Sequence, residues 1–235
     1  MDKAEYTDSE LGRIFFIANR RAKRVIARRV PDGIQITIPV YFSAQQAFAA
    51  LEELRPKLSS LKGRPNHIFL PDADFKTLSF SIKIEKSENL NNFYFSLQNY
   101  VLTIVCPHNC VCESIDTQNT IRDIVEKVMR NEAKRIFPAL VSSLAQEHGF
   151  TFTDVKINKS RSRWGSCSSG KNINLSYMCM LLPRHLCGFV ILHELCHTVE
   201  MNHSPRFWNL LDSVTDKQAK KLTEELKKIK IPFWR

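Results

Sequence analysis

The chain has 235 residues, of which 43% are hydrophobic and 25% are charged, and its formal net charge is +10. This balance is typical of a globular protein and excludes a disordered, fibrous or coiled-coil chain. The apolar run Ile14–Ala18 is far too short for a signal peptide, and no stretch reaches the ~18 apolar residues of a membrane span. A cytoplasmic protein with no membrane partner is therefore expected.

The positive charge is densest in one basic cluster: Arg20, Arg21, Lys23, Arg24, Arg28 and Arg29. Such a patch can bind nucleic acid, because neutralising phosphates releases counterions. Runs of like charge are also common on solvated surfaces, and the hairpin described next explains these residues without a partner. A nucleic-acid partner is therefore an alternative that the sequence does not favour.

The next residues of the chain predict a β-hairpin followed by a helix. Residues 23–30 lead into the turn tripeptide Pro31-Asp32-Gly33, and residues 34–39 then alternate apolar and polar side chains, a pattern typical of a hairpin. Apolar residues at helical spacing predict a helix over 43–61, with Ser43 as its N-cap.

Further strands complete the strand-rich N-terminal part, which is expected to span residues 1–115. Aromatic and β-branched side chains favour strands over residues 77–85 and 93–105.

The seven cysteines are an odd number and cannot all pair, so reduced thiols are expected. Three of them, at positions 106, 110 and 112, lack the spacing of a standard zinc pair, so Cys106, Cys110 and Cys112 are expected to be structural, with a second metal site as the alternative.

The remaining residues, 116–235, alternate helical patterns with short strands. An apolar stripe predicts a helix from Thr120 to about Glu147 that stops at Gly149, and Pro138 should kink or divide it.

Two strands are expected next, over residues 154–157 and 173–180, joined by a Ser/Gly-rich loop. A helix should follow Pro183 and continue to about Glu200. Another should begin at Ser204, an N-cap residue that precedes a proline.

A metal-binding motif lies in the helix expected after Pro183. His193, Glu194 and His197 have the spacing HExxH. Side chains four apart share one helical face, so both imidazoles can bind a single tetrahedral ion. Glu194 lies about 100° around the helix and can address a metal-bound water without ligating the metal. The motif predicts two metal ligands and a general base.

A catalytic zinc needs a third protein ligand and an open fourth position, and His203 is the expected third ligand. Asn202 before it tolerates the left-handed backbone conformation that would turn the chain back to the metal. Glu200 shares the helical face of the motif but lies about 10 Å along the helix from His193, which is too far for both side chains to bind one ion. Glu224 and Glu225 in the last helix rank lower as alternatives.

The sequence resembles the YgjP-like metallopeptidases, which are similar to the SprT and WLM groups of zincin-like proteases. The resemblance is strong over residues 158–208 and is carried by Ser162–Ser168, Asn172–Leu175, His193–His197 and Asn202–Trp208. It implies a zincin-like fold for the C-terminal half. It also implies one zinc ion per chain on His193, His197 and His203, with Glu194 as the general base.

The resemblance further implies how substrate binds. In zincin-like folds a strand edge beside the active-site helix holds an extended peptide, and the resemblance assigns this edge to the strand Ile173–Met180.

The loop Arg161–Gly170 is expected to pack the strand pair beneath that helix, with Trp164 as its apolar anchor. The alternative is that Arg163 or backbone amides of the loop face the cleft.

The sequence thus predicts an α+β protein with a strand-rich N-terminal half that has one helix, and a zincin-like C-terminal half with an HExxH active-site helix. The expected function is zinc-dependent hydrolysis of peptide or protein substrates by Glu-assisted attack of zinc-bound water. Two alternatives stay open. One is a polyanion- or nucleic-acid-binding module with a structural metal site, and the other is a protease recruited to nucleic acid.

Overall fold

Helices and small sheets alternate along the chain, and the computed structural model describes residues 3–30, 33–60, 68–71 and 74–229. The strands of the described residues are β1 Lys3–Asp8, β2 Gly12–Asn19, β3 Ile26–Val30, β4 Gly33–Pro39, β5 Ser81–Lys86, β6 Tyr94–Gln98, β7 Val101–Cys106, β8 Asp154–Asn158, β9 Gly165–Cys167 and β10 Asn172–Ser176. Their α-helices are α1 Ala44–Ser60, α2 Ile115–His148, α3 Arg184–Cys196, α4 Pro205–Ser213 and α5 Ala219–Lys228. The predicted α+β class is confirmed.

The chain divides into two compact units, Met1–His67 with Pro232–Arg235, and Ile68–Ile231. Residue 115, the expected end of a strand-rich part, lies inside the second unit, where α2 begins. The functional division into parts 1–115 and 116–235 stays a prediction.

The first unit is a four-stranded sheet, ordered β1-β2-β4-β3, with its core shared with α1. The predicted hairpin is present as β3 and β4, which pair antiparallel up to Val30 and Gly33, while Pro31 and Asp32 of its turn lie outside the described residues. Alternate residues of β2 and β4 point to the core because side chains of a strand alternate between faces. The buried core side chains are Leu11, Ile14, Phe16, Ile34, Ile36, Ile38, Ala47, Leu51 and Leu58.

An ion pair also links α1 to the turn after β1. Asp8 is buried and accepts hydrogen bonds from the backbone N–H groups of Glu10 (2.9 Å) and Leu11 (2.8 Å). Arg55 of α1 donates to both carboxylate oxygens of Asp8, at 3.0 and 2.7 Å. These bonds, that of Arg55 first, hold the pKa of Asp8 well below its ordinary value.

The second unit begins with a three-stranded sheet in which β7 pairs with β5 in parallel and with β6 antiparallel. The strand region 93–105 is therefore a hairpin, and Asn99 and Tyr100 form its two-residue turn with φ angles of 48° and 62°. Positive φ at both turn residues matches the twist of a hairpin. Strand β5 begins at Ser81 because residues 77–80 form a tight turn closed by Thr77.

Helix α2 is longer than predicted. It begins after Ser114, whose side chain accepts a hydrogen bond from the backbone N–H of Thr117 at 3.3 Å. It ends at Gly149, whose φ of 72° is a left-handed conformation that glycine adopts at little cost. Pro138 lies inside this helix and does not divide it. A proline removes only one backbone hydrogen bond from a helix, and the burial of the neighbouring Phe137 and Val141 in the core stabilises the helix on both sides of it.

The second sheet of this unit corrects two predictions. Strand β10 ends at Ser176, whose hydroxyl accepts a hydrogen bond from Met178 N–H and caps a 3₁₀ helix, Tyr177–Leu181. The strand predicted over 173–180 is therefore wrong beyond residue 176. Strand β10 is also central, parallel to β8 and antiparallel to β9, so Ile173–Met180 is not an edge. The edge strand that packs against α3 is β9, which was predicted as a loop.

Helix α3 packs against α2, β9, α4 and α5. It ends at Cys196, four residues before the predicted Glu200. Helix α4 begins as predicted, with Pro205 in its first turn and Ser204 accepting a hydrogen bond from Phe207 N–H at 3.4 Å. Within the described chain, no helix combines the length and apolar character needed to span a bilayer.

Candidate metal centre

Helix α3 carries the first half of the motif. Its middle is fully apolar, and Leu186, Ile191 and Leu195 are at most 1% exposed, so burial in the core fixes the orientation of the helix. His193 and Glu194 follow in its last turn, where Glu194 is only 6% exposed. The core packing of α3 therefore determines where both side chains lie.

The other two histidines lie on the turn that leaves α3. His197 caps the helix and keeps a helical backbone hydrogen bond to the carbonyl of His193. The chain then reverses, and a 2.7 Å hydrogen bond from Ser204 N–H to the Asn202 carbonyl closes a three-residue turn centred on His203. Asn202, which tolerates a left-handed backbone conformation, does not adopt one, and the chain reverses through the turn at His203 without it.

The three imidazoles converge. One ring nitrogen from each of His193, His197 and His203 lies within 4.8 Å of the other two. The Nε2 atoms of His193 and His203 are 3.1 Å apart, close to the roughly 3.3 Å between two nitrogens that share a tetrahedral zinc ion. Among the described residues this is the one group of three that can hold a metal.

The protonation of the rings suits metal binding. Burial, and then the neighbouring histidines, lower the pKa of His193 to about 4. Burial also lowers the pKa of His197. Neutral rings keep a nitrogen lone pair free for a metal. His197 Nδ1 lies 3.0 Å from the Glu200 carbonyl oxygen and must donate its proton there, which leaves Nε2 as the free atom.

Phe207 of α4 supports all three rings, a role that the sequence did not reveal. It is fully buried, and its ring stacks on His197 with centroids 4.5 Å apart. Edge contacts to His193 and His203 lie at 4.9 and 4.7 Å. The sequence offers one indirect sign of this role. Phe207 lies three residues after Ser204, and a serine that caps a helix fixes the conformation of the first helical turn, to which Phe207 belongs.

Glu194 lies beside this cluster in an apolar environment. Burial raises the pKa of its carboxyl group to about 7, while the Arg163 guanidinium and a hydrogen bond from Cys167 N–H act in the opposite direction. Gly165 of β9 is so close that a Cβ atom there would lie 2.7 Å from Glu194 Oε1. Strand β9 therefore forms one wall of the carboxylate's site.

The carboxylates considered as alternative ligands are engaged elsewhere. Glu224 accepts from Lys227 at 2.7 Å, and Glu225 is 2.7 Å from His185 Nε2. Glu200 contributes its backbone carbonyl to His197 rather than its carboxylate.

Neither the cysteines nor the basic cluster contributes to the group of three histidines, although Cys196 directly precedes His197 in the sequence. All seven cysteines are free, and none of them belongs to a metal-binding group of described residues. Cys106 and Cys196 are fully buried. The side chains of Arg20, Arg21, Lys23 and Arg24 are exposed in the loop between β2 and β3.

Comparisons with known proteins give one family match and structural matches of low similarity. A family model described as YgjP-like, metallopeptidase domain, matches residues 23–229. The metallopeptidase zymogen abylysin of Pyrococcus abyssi is 20% identical, with a TM-score of 0.35 over 38% of this chain and 90% of that chain. The jannalysin zymogen of Methanocaldococcus jannaschii is 21% identical, with a TM-score of 0.31 over 38% of this chain and 95% of that chain. No curated protein matched. From the family match over residues 23–229, the chain belongs to the YgjP-like metallopeptidase family.

Proposed function

We propose that the protein is a zinc-dependent peptidase in which His193, His197 and His203 hold one zinc ion and Glu194 is the general base. The observation that carries this proposal is the convergence of three imidazoles, within 4.8 Å of one another, beside a buried carboxylate. The proposed substrate is a peptide or protein.

The donor set supports zinc in a catalytic role. Imidazole nitrogens suit zinc, and a structural zinc site has four protein ligands, whereas a catalytic site has three and an open position. The described residues supply three. A polyanion-binding module with a structural metal would need a fourth. When bound, zinc lowers the pKa of water to about 7 and polarises a carbonyl group.

Glu194 is the proposed proton carrier. It takes a proton from the attacking water and passes it to the leaving amine, which requires a carboxyl group whose pKa is close to the working pH. Burial of Glu194 supports this role, because desolvation raises its pKa. The N–H of Cys167, which donates to the carboxylate, holds it in place.

Strand β9 is the proposed docking edge for the substrate. Within the described residues it pairs on one side only, with β10, and it borders Glu194 through Gly165. An extended peptide can add to such an edge by main-chain hydrogen bonds. A substrate bound there would lie along the wall of the proposed site.

The first test replaces the proposed base. Glu194→Gln should keep about one zinc per chain, because the three ligands are untouched, and should lower peptide hydrolysis by at least about 100-fold. Mass spectrometry of the purified protein measures its metal content. Hydrolysis is measured by incubating the protein with a mixture of peptides. Unchanged hydrolysis in this variant would remove Glu194 from the mechanism.

The second test concerns the third ligand. His203→Ala should lower both the zinc content and the hydrolysis, whereas the control Glu225→Ala should change neither, since Glu225 is paired with His185. Full zinc content in His203→Ala, together with loss of zinc in Glu225→Ala, would show that the third ligand is misassigned.

A further inference from the structure

Strand β6 is an open edge of the sheet β5-β7-β6. Among the described residues it pairs only with β7, so its other side has no partner strand. The two-residue turn after β6 determines which backbone groups face that side. Residues that flank such a turn form a hydrogen-bonded pair, here Gln98 and Val101, and these pairs alternate with non-hydrogen-bonded pairs along the strands. The N–H and C=O groups of Phe95 and Leu97 therefore point away from β7, to the open side.

The side chains of Phe95 and Leu97 also leave the core incompletely covered. Opposite them on β7 lie Ile104 and Leu102, which are fully buried. Because paired residues of neighbouring strands point to the same face, Phe95 and Leu97 lie on the core face of the sheet. Although Lys127 of α2 lies over the ring of Phe95, 5.5 Å from its centroid, Phe95 is 41% exposed and Leu97 is 36% exposed. The apolar core thus continues to the edge of β6, where no further strand covers it.

The edge lacks the features that prevent a strand from pairing with another chain. Monomeric proteins protect an open edge with charged side chains, a proline or a bulge. Strand β6 has the sequence Tyr-Phe-Ser-Leu-Gln, and its register with β7 is continuous. No aspartate, glutamate, lysine or arginine occurs between Asn89 and Cys112, in a chain that is 25% charged.

The charge of the chain and the symmetry of the strand indicate the partner. Each chain has a formal net charge of +10, so two copies repel each other where their basic surfaces meet, and an uncharged strand is a place where they can meet without this cost. Strand β6 is also complementary to itself. If Ser96 lies opposite Ser96 of a second copy in an antiparallel pair, the outward backbone groups of Phe95 bind those of Leu97 of that copy. The two apolar side chains then pack against each other on the core face.

We infer that β6 is a homodimer interface, at which β6 of a second copy pairs antiparallel about Ser96 and joins two three-stranded sheets into one of six strands. Main-chain hydrogen bonds hold such a strand pair together, and burial of Phe95 and Leu97 adds hydrophobic stabilisation. The inference does not depend on the proposed peptidase activity.

The first experiment places a charge on the edge. Leu97→Lys should raise the dissociation constant of the dimer at least about 10-fold, because a lysine on an open strand opposes pairing with another strand. The control is Ile115→Lys, since Ile115 is 70% exposed in the first turn of α2, outside β6. Sedimentation velocity of the full-length proteins, from micromolar to millimolar concentration, measures the dissociation constants.

The second experiment tests the register with new cysteines. In the proposed pair the Cα atoms of Ser96 and its copy are about 4.5 Å apart, a separation that a disulfide spans. Ser96→Cys should therefore form a covalent dimer with oxidised glutathione as the oxidant. The matched control is Gln98→Cys, on the same face of the same strand, because Gln98 and its copy would be about 14 Å apart along the strands. Non-reducing gel electrophoresis measures the covalent dimer, and wild type gives the background from the seven native cysteines.

A wild-type dimer that is weakened by Leu97→Lys and not by Ile115→Lys, with more cross-linking through Ser96→Cys than through Gln98→Cys, would support the interface. Wild-type protein that stays monomeric up to millimolar concentration would overturn the inference. A dimer that Leu97→Lys leaves unchanged, or equal cross-linking of the two cysteine variants, would overturn it as well.

Discussion

Gly165 lies so close to Glu194 that the absence of a side chain affects the position of this proposed base. A Cβ atom at this position would lie 2.7 to 2.9 Å from three atoms of the Glu194 side chain. The strand backbone cannot move easily, because Gly165 pairs with Leu175 of β10. The Glu194 carboxylate is the end of a flexible side chain, so it is the group that would shift. Gly165 therefore sets the position of the proposed base.

Gly165→Ala should consequently fold and bind zinc yet lose activity. A displacement of about 1 Å in a catalytic group lowers turnover by roughly 100-fold. The measurements are kcat on a cleaved peptide, zinc content, and the thermal unfolding midpoint.

Gly188→Ala is the matched control, because a Cβ atom at Gly188 meets no atom within 4 Å and alanine favours a helix. This control should keep wild-type activity. Wild-type kcat in Gly165→Ala would show that the close approach does not position Glu194.

At the residue scale, the candidate site residues could be predicted from the sequence more easily than the residues that pack around them. The motif spacing points to His193, Glu194 and His197 because metal chemistry demands particular residue types on one helical face. The structure brings His203 to them, as expected, although by a different turn. Phe207 could not be predicted in this role, since its contact with the rings depends on how α4 packs against α3.

At the element scale, the ion pair between Asp8 and Arg55 links α1 to the turn between β1 and β2. Its hydrogen bonds lower the pKa of Asp8, so the folded state binds a proton at this site less readily than the unfolded state. The stabilisation is therefore fully present above the ordinary pKa of aspartate, about 4, and is lost progressively as the pH falls below it.

Asp8→Asn should thus unfold at lower urea concentration than wild type at pH 7, and the difference should shrink steadily below about pH 4. Circular dichroism at several pH values measures both midpoints. Asp74→Asn is the control, since Asp74 and its partner Lys76 are both largely exposed and such pairs contribute little. A difference between wild type and Asp8→Asn that is equal at pH 7 and pH 3 would exclude the ionised pair as its source.

Elements with a strong local signal were predictable, and those that depend on pairing were not. Helices α1 and α4 begin at side-chain caps that the sequence displays, Ser43 and Ser204. Strand β9 has only three residues in a Ser/Gly-rich stretch, and its pairing with β10 is the reason that it is a strand. Strands β1 and β2 were missed because their side chains do not alternate cleanly between apolar and polar.

At the scale of the whole molecule, the net charge of +10 raises the question of an anionic partner. In the first unit, Arg20, Arg21 and Arg24 are exposed, and Arg28 donates a hydrogen bond to Gln35 at 3.1 Å on the neighbouring strand. The proposed metal ligands all belong to the second unit. Mutations can therefore remove the positive charge of these arginines without changing the proposed metal ligands.

Replacing Arg20, Arg21, Arg24 and Arg28 together with glutamine should leave the cleavage of a short peptide unchanged. If the cluster is a solvated surface, wild type and variant should both bind nucleic acid no more tightly than about 10⁻⁴ to 10⁻⁶ M at physiological salt. Fluorescence anisotropy with a labelled DNA duplex and an RNA strand, over a range of salt concentrations, measures this. A recruitment site would instead give sub-micromolar binding that collapses in the variant, and each lost phosphate contact would flatten the salt dependence. Because hydrogen bonding within the sheet and exposure to water account for these arginines without a ligand, weak binding by both proteins is the expected result.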